Sequence, residues 1–257
     1  MAQQATPAPD RDADEIVTRS LDPLAVQGPG PALFGSIPIP APRLAIGARW
    51  LAILADGPAH LFIEGCEADP DICQSLPMRA YRRVEAENED KPLPRLVLVR
   101  KVNLAVNHSV RYQLDPKTYG VEDYWATPGE TMRKGAGDCE DFSILKMGML
   151  AALGIPLSAM QVVVVQDLRR GIGHAVLAVR LGSETYVLDN QTDIVRRDDA
   201  VPDYQPYYAV GLGTSVAYGL RRTLAAAPPA SATGPAGTGA SADLRGTLGS
   251  GIFPTRR

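Results

Sequence analysis

Cys139 sits in Gly137-Asp138-Cys139-Glu140-Asp141-Phe142, and the apolar-periodic run Ile144 to Leu153 follows directly. A glycine turn, an aspartate suited to cap a helix, and a cysteine in the first turn are parts that make a thiol reactive. The exposed N–H groups and the positive dipole end of the helix favour thiolate over thiol. Downstream, Gly173-His174-Ala175-Val176-Leu177 and Tyr186-Val187-Leu188-Asp189-Asn190 read as two strands carrying a histidine and an aspartate. Cysteine, histidine and aspartate in that order can assemble a thiol acyl-transfer triad of Cys139, His174 and Asp189.

The competing reading is plain packing, since a lone cysteine at a helix start is commonly a small buried hydrophobe. The chain has only 3 His and 3 Cys, so this pairing was not picked from many candidates. His174 lies among apolar residues, and Asp189 closes the apolar stretch Tyr186 to Leu188. A buried carboxylate in such a place needs a cationic or hydrogen-bonding partner.

Tyr124-Trp125-Ala126-Thr127-Pro128-Gly129-Glu130-Thr131, then the Gly137 to Phe142 motif, then Gly154-Ile155-Pro156 resemble the bacterial transglutaminase-like cysteine proteinases, and among them the LapG-like periplasmic proteases. The resemblance runs from about Leu33 to Leu220. It implies an α+β, papain-like (transglutaminase-type) core, with the nucleophile at a helix N-terminus packed on an antiparallel sheet. It places the other two catalytic residues at His174 and Asp189. It also implies a periplasmic endopeptidase that trims a large surface adhesin in biofilm control, with an inner-membrane cyclic di-GMP receptor gating its release. Two alternatives stay open: a transglutaminase-type acyltransferase with the same triad, and a non-catalytic binding module on the same fold.

Asp138, Glu140 and Asp141 crowd negative charge around a group that must itself become negative. Capping by Asp138 and dipole complementarity by the other two would account for about 0.3–1 kcal/mol each. Three carboxylates beside a thiol also raise its pKa unless a cation screens them. Calcium, a hard cation that takes carboxylate and carbonyl oxygens, suits that need. The resemblance implies the same calcium dependence, with Asp138, Glu140 and Asp141 as ligands.

Cys66 and Cys73 flank a short polar loop containing Pro70. A disulfide in an oxidising compartment is the expectation, worth roughly 2–3 kcal/mol. Metal ligation is the rival, but no second cysteine pair or nearby histidine completes a zinc site. His60 and His108 have no acidic or cysteine neighbours in sequence that mark them, and surface or half-buried structural roles are expected. Trp125 is either a wall of the cleft or a core aromatic. One oxyanion donor is the Cys139 N–H; a second is not legible.

At 257 residues, 45% hydrophobic and a net charge of -3, the chain has ordinary globular composition without a basic stripe for nucleic acid. No apolar run reaches the roughly 18–20 residues of a membrane span. Met1 to Asp10 is polar and Pro/Ala-rich, unlike a signal peptide, so the resemblance implies a periplasmic protein whose native leader is missing from this sequence.

The elements that must position these residues follow from periodicity. Residues 1–31 read as an irregular lead-in, 32–224 as the proteinase domain, and 225–257 as a disordered Ala/Pro/Gly-rich tail. Within the domain, Leu33 to Pro42 is proline-interrupted. Helices are expected near Trp50 to Leu54, Met78 to Asn88 and Arg95 to Tyr112, with a break at Lys91 to Pro94. The Trp125 loop and the nucleophile helix come next. Strands are expected at Gln161 to Gln166, His174 to Arg180, Thr185 to Leu188 and near Tyr207 to Gly211. Helices first and strands afterwards argue α+β.

Overall fold

A computed structural model describes residues 32–219. The expectations for 1–31 and 225–257 lie outside the described residues.

The chain runs β1 (Ile37–Pro40), α1 (Gly47–Asp56), α2 (His60–Ile63), α3 (Pro70–Gln74), α4 (Leu76–Asp90), α5 (Arg95–Ser109), β2 (Arg111–Tyr112), α6 (Asp115–Thr118), α7 (Pro128–Lys134), β3 (Ala136–Gly137) and α8 (Cys139–Ala152). Strands β4 (Met160–Asp167), β5 (Ile172–Leu181), β6 (Glu184–Asp189), β7 (Thr192–Arg197), β8 (Tyr204–Gly211) and β9 (Thr214–Gly219) then follow. Seven strands form one antiparallel sheet in the order β1-β9-β8-β4-β5-β6-β7. The helices precede the main strands in sequence, and this is the papain-like α+β arrangement.

The run Val162-Val163-Val164-Val165 is continuous rather than alternating because β4 is central and covered on both faces. Val162, Val164, Leu177 and Val179 join the large core with Ile144, Leu145 and Leu150 of α8. Val163, Val165, Val176, Ala178 and Val187 form a smaller core with Leu33 and Tyr204. Helix α8 is buried almost throughout, from Glu140 to Leu150. Gly148 lets it approach the turn before α2, since a Cβ there would stand 2.2 Å from the Pro58 carbonyl oxygen.

Three expectations need correction. The helix expected to reach Tyr112 ends at Ser109, because Arg111 and Tyr112 pair in parallel with Ala136 and Gly137. The proline-interrupted segment contains an edge strand, β1, paired with β9. Prolines are tolerated there because one side of an edge strand needs no ladder N–H. The third is the loop running from Trp125 to Cys139, which contains helix α7. Its Thr127-Pro128-Gly129-Glu130 start is a capping box, with Glu130 N–H donating to Thr127 Oγ1 (3.3 Å) and Thr127 N–H to Glu130 Oε2 (2.8 Å).

Cys66 and Cys73 are disulfide-bonded, with Cα atoms 5.2 Å apart, leaving Cys139 as the free cysteine. Among the described residues, no helix is long and apolar enough to cross a membrane.

Candidate active site

Cys139 opens α8, directly after the short strand β3. Asp138 occupies the N-cap position with extended backbone, and Asp141 reaches back to accept its N–H at 3.4 Å. The other Asp141 oxygen accepts from Ala126 N–H at 2.8 Å, so this carboxylate ties the Trp125 loop to the Cys139 turn. Gly137 is required for that closeness: a Cβ on it would lie 2.5 Å from Asp141 Oδ2. Arg49 braces the same loop, donating to the Trp125 carbonyl (2.7 Å) and to Glu130 (2.8 Å) while lying 4.4 Å above the Tyr124 ring. Trp125 itself is 3% exposed and packs edge-on against Trp50, which makes it a core aromatic.

The histidine and the aspartate arrive from the sheet. By the two-residue alternation of strands, His174 shares a face with Val176 and Ala178, and Asp189 with Val187. His174 Nε2 and Asp189 Oδ1 are 2.9 Å apart, at 3% and 5% exposure. Tyr204 donates its hydroxyl to Asp189 Oδ2 at 2.5 Å, and the Gln191 N–H donates to Oδ1 at 2.9 Å. Burial alone would raise the Asp189 pKa. The hydrogen bond and charge of His174, with those two donors, outweigh it and bring it to about 2. The Tyr204 ring packs edge-on against the imidazole, with centroids 5.8 Å apart. The β5–β6 ladder begins at Leu177↔Leu188, so His174 to Val176 are unpaired on that side. There the Ala175 N–H faces the Cys139 thiol.

The thiol donates to Glu140 Oε2 at 3.1 Å. Burial, then the Glu140 and Asp138 carboxylates, push its pKa well above the ordinary thiol value. Burial first, with Cys139 and Glu140 among the neighbouring charges, raises the phenols of Tyr112 on β2 and Tyr208 on β8.

The acidic neighbourhood is larger than the motif. Asp115 at the start of α6 joins Asp138 and Asp141, and Asp115 and Asp123 join Glu140, with oxygens of each group within 4.8 Å of one another. Burial first, then mutual repulsion, raises Asp115 to about 7 and Asp141 to about 8, and pushes Glu140 and Asp138 upward. Among the described residues, no Lys or Arg forms a salt bridge with any of the five. Asp115 Oδ1 and Asp138 Oδ1 are buried without a hydrogen-bond partner. Buried carboxylate oxygens without donors fit a hard divalent cation. Asp141, with both oxygens on backbone N–H groups, has less free capacity than Asp115, Asp138 and Glu140.

His60 and His108 both have acidic partners that their sequence neighbourhoods did not mark: Glu64 at 3.3 Å, and Asp193 of β7 at 2.8 Å. Both pairs are exposed.

A thiol at a helix N-terminus, packed on an antiparallel sheet that carries a buried His–Asp pair, defines a papain-like thiol hydrolase. The chain belongs to the bacterial transglutaminase-like cysteine proteinase family, whose sequence model matches residues 55–205, and the protein is a cysteine protease. Among solved structures, LapG of Legionella pneumophila is 31% identical, aligned over 52% of this chain and 74% of that one, with a TM-score of 0.46; its calcium-bound form gives the same values. The EGTA-treated form is 29% identical over 58% of this chain and 78% of that one, with a TM-score of 0.48. No curated protein matches the chain.

Proposed function

We propose that the protein is a calcium-dependent periplasmic cysteine endopeptidase acting through Cys139, His174 and Asp189. The observation that carries the proposal is the buried 2.9 Å His174–Asp189 hydrogen bond in the strand whose next N–H faces the helix-terminal thiol. With Nε2 engaged by Asp189, Nδ1 would take the thiol proton once the Gln191 side-chain amide, 3.4 Å from it, gives way. The Cys139 sulfur then attacks the scissile carbonyl carbon, and the new oxyanion is met by the Cys139 N–H at the helix start. Collapse breaks the C–N bond as the imidazolium gives its proton to the leaving amine. A water deprotonated by the imidazole cleaves the thioester, releasing the carboxylic acid and the thiol. Asp189 holds the ring and stabilises its charged form throughout.

Asp115, Asp138 and Glu140, with Asp141 and Asp123 beside them, would hold the calcium ion. Bound there, it would neutralise the charges that keep the thiol protonated and compete with the thiol for Glu140. The family resemblance extends the proposal to a large surface adhesin as substrate, released under control of a membrane receptor that reads cyclic di-GMP.

The test is proteolysis of an adhesin N-terminal fragment, followed by electrophoresis and mass spectrometry of the new termini. Cys139→Ala should abolish cleavage while circular dichroism stays unchanged. Cleavage at the wild-type rate by that variant would overturn the assignment.

A further inference from the structure

The hairpin joining β6 to β7 turns on two residues, Asn190 and Gln191, between the paired Asp189 and Thr192. It is held from α5. Asn103 Nδ2 donates to the Thr192 carbonyl and Asn107 Nδ2 to the Asp189 carbonyl, both at 3.0 Å. A turn anchored through its flanking carbonyls keeps its shape whichever side chain Gln191 carries. The Gln191 backbone N–H donates to Asp189 Oδ1 at 2.9 Å, and that contact survives any substitution but proline.

The side chain has a separate partner. Gln191 Nε2 lies 3.4 Å from His174 Nδ1, while its Oε1 is buried without a hydrogen-bond partner. The direction of this contact follows from the other ring nitrogen. Asp189, with its pKa brought to about 2, has no proton to give at neutral pH, so His174 Nε2 donates to Oδ1. In a neutral ring protonated at Nε2, Nδ1 is a bare acceptor, and of the two amide groups only the NH₂ can meet it. The bond therefore exists for the neutral imidazole alone. Once Nδ1 carries a proton, donor faces donor and the amide must leave or turn over. The nitrogen that takes the thiol proton is thus already occupied, and the thiol donates elsewhere, to Glu140 Oε2 at 3.1 Å.

We propose that Gln191 is a positioning residue, a latch whose amide holds His174 Nδ1 away from the Cys139 proton until it swings clear. The proposal rests on the triad reading above. Space filling does not account for the contact, because a filler needs no polar atoms and this side chain buries an amide oxygen unpaired. Forming the thiolate–imidazolium pair then costs one neutral hydrogen bond, and that is the size of the effect to be measured. Gln191 touches no substrate; it acts through His174.

Gln191→Met keeps the chain length and removes both polar groups of the amide. With calcium bound at about pH 7, iodoacetamide should label Cys139 about two- to tenfold faster in this variant than in wild type, the fold-change that one neutral hydrogen bond is worth. Gln191→Glu keeps the shape and an acceptor but no donor, and should label at least as fast as the methionine variant. Equal or slower labelling than wild type in Gln191→Met would overturn the proposal. If that variant does not fold, equal or slower labelling in Gln191→Glu overturns it instead.

A second readout needs neither proteolysis nor the thiol. The chain has only 3 His, His60, His108 and His174, so 15N-histidine labelling gives assignable ring resonances. In Cys139→Ala, the neutral-ring Nδ1 resonance of His174 should move downfield when Gln191→Met is added, as an unprotonated ring nitrogen does on losing a donor. An unmoved resonance would refute the latch whatever the labelling rates. Failure of the triad reading appears instead as cleavage surviving Cys139→Ala, so the two failures are distinguishable.

Discussion

Asp189→Asn should leave a folded protein whose kcat has fallen by about 10³–10⁴, the scale on which a triad loses its orienting carboxylate. Asparagine fits the site: Oδ1 can still accept from the Gln191 N–H and His174 Nε2, while the amide NH₂ faces the Tyr204 hydroxyl, which can turn to accept. What is lost is the negative charge. The imidazolium formed during each turnover is then buried without a counter-ion, in a site where His174 is 3% exposed. Because the Asp189 pKa is depressed to about 2, the wild-type carboxylate stays ionised well below pH 4, so its own titration does not set the acid limb of activity. The linkage has the matching sign. The stability it contributes is present above the ordinary carboxylate pKa and is lost as pH falls through about 2. An Asp189→Asn enzyme within tenfold of wild type would remove Asp189 from the mechanism.

Chelation should abolish activity and calcium should restore it. Without a cation, burial and then Glu140 and Asp138 push the thiol pKa well above its ordinary value, with Asp115, Asp123 and Asp141 adding to the acidic neighbourhood. Asp115 and Asp141 are raised from 3.8 to about 7 and about 8, so at neutral pH the metal-free cluster retains protons that calcium must displace. Proton release on calcium binding and weaker binding at pH 6 than at pH 8 are both expected, measurable by calorimetry in buffers of different ionisation enthalpy. A raised folded-state pKa contributes stability below the unfolded value that is lost as pH rises through the folded one. Metal-free protein should accordingly lose melting temperature between about pH 4 and pH 8, and calcium should recover most at the alkaline end. Full activity in a strong chelator, with metal-free protein confirmed by elemental analysis, would contradict the calcium assignment.

What the chain disclosed in advance was what is written locally. Helix α5 showed itself through apolar residues three and four apart, α8 through its glycine–aspartate start, and β4 to β6 through short apolar runs. Cys139, His174 and Asp189 were legible as candidates because each sits in a compact segment whose polar residue is out of keeping with its neighbours. Strands β7 and β9 carry weaker local signals and exist because a paired neighbour completes them. The two residues of β2 look like the end of a helix until β3 arrives beside them. Asp115 opens α6 and Asp123 lies in the loop that follows, and tertiary structure alone brings them to the motif carboxylates. Tyr204 starts a strand two residues before Pro206, with nothing nearby to suggest that its hydroxyl closes on Asp189. One further signal was present in the sequence: Thr127-Pro128-Gly129-Glu130 spells a capped helix start.

The most direct test of the triad is the pH dependence of Cys139 alkylation by iodoacetamide, with calcium bound, in wild type and His174→Ala, with the label located by mass spectrometry. Rapid labelling of wild-type Cys139 well below pH ~8, lost in His174→Ala, is the expected result. An ordinary, slow thiol profile that is the same in both proteins would mean that Cys139 and His174 do not form a working pair.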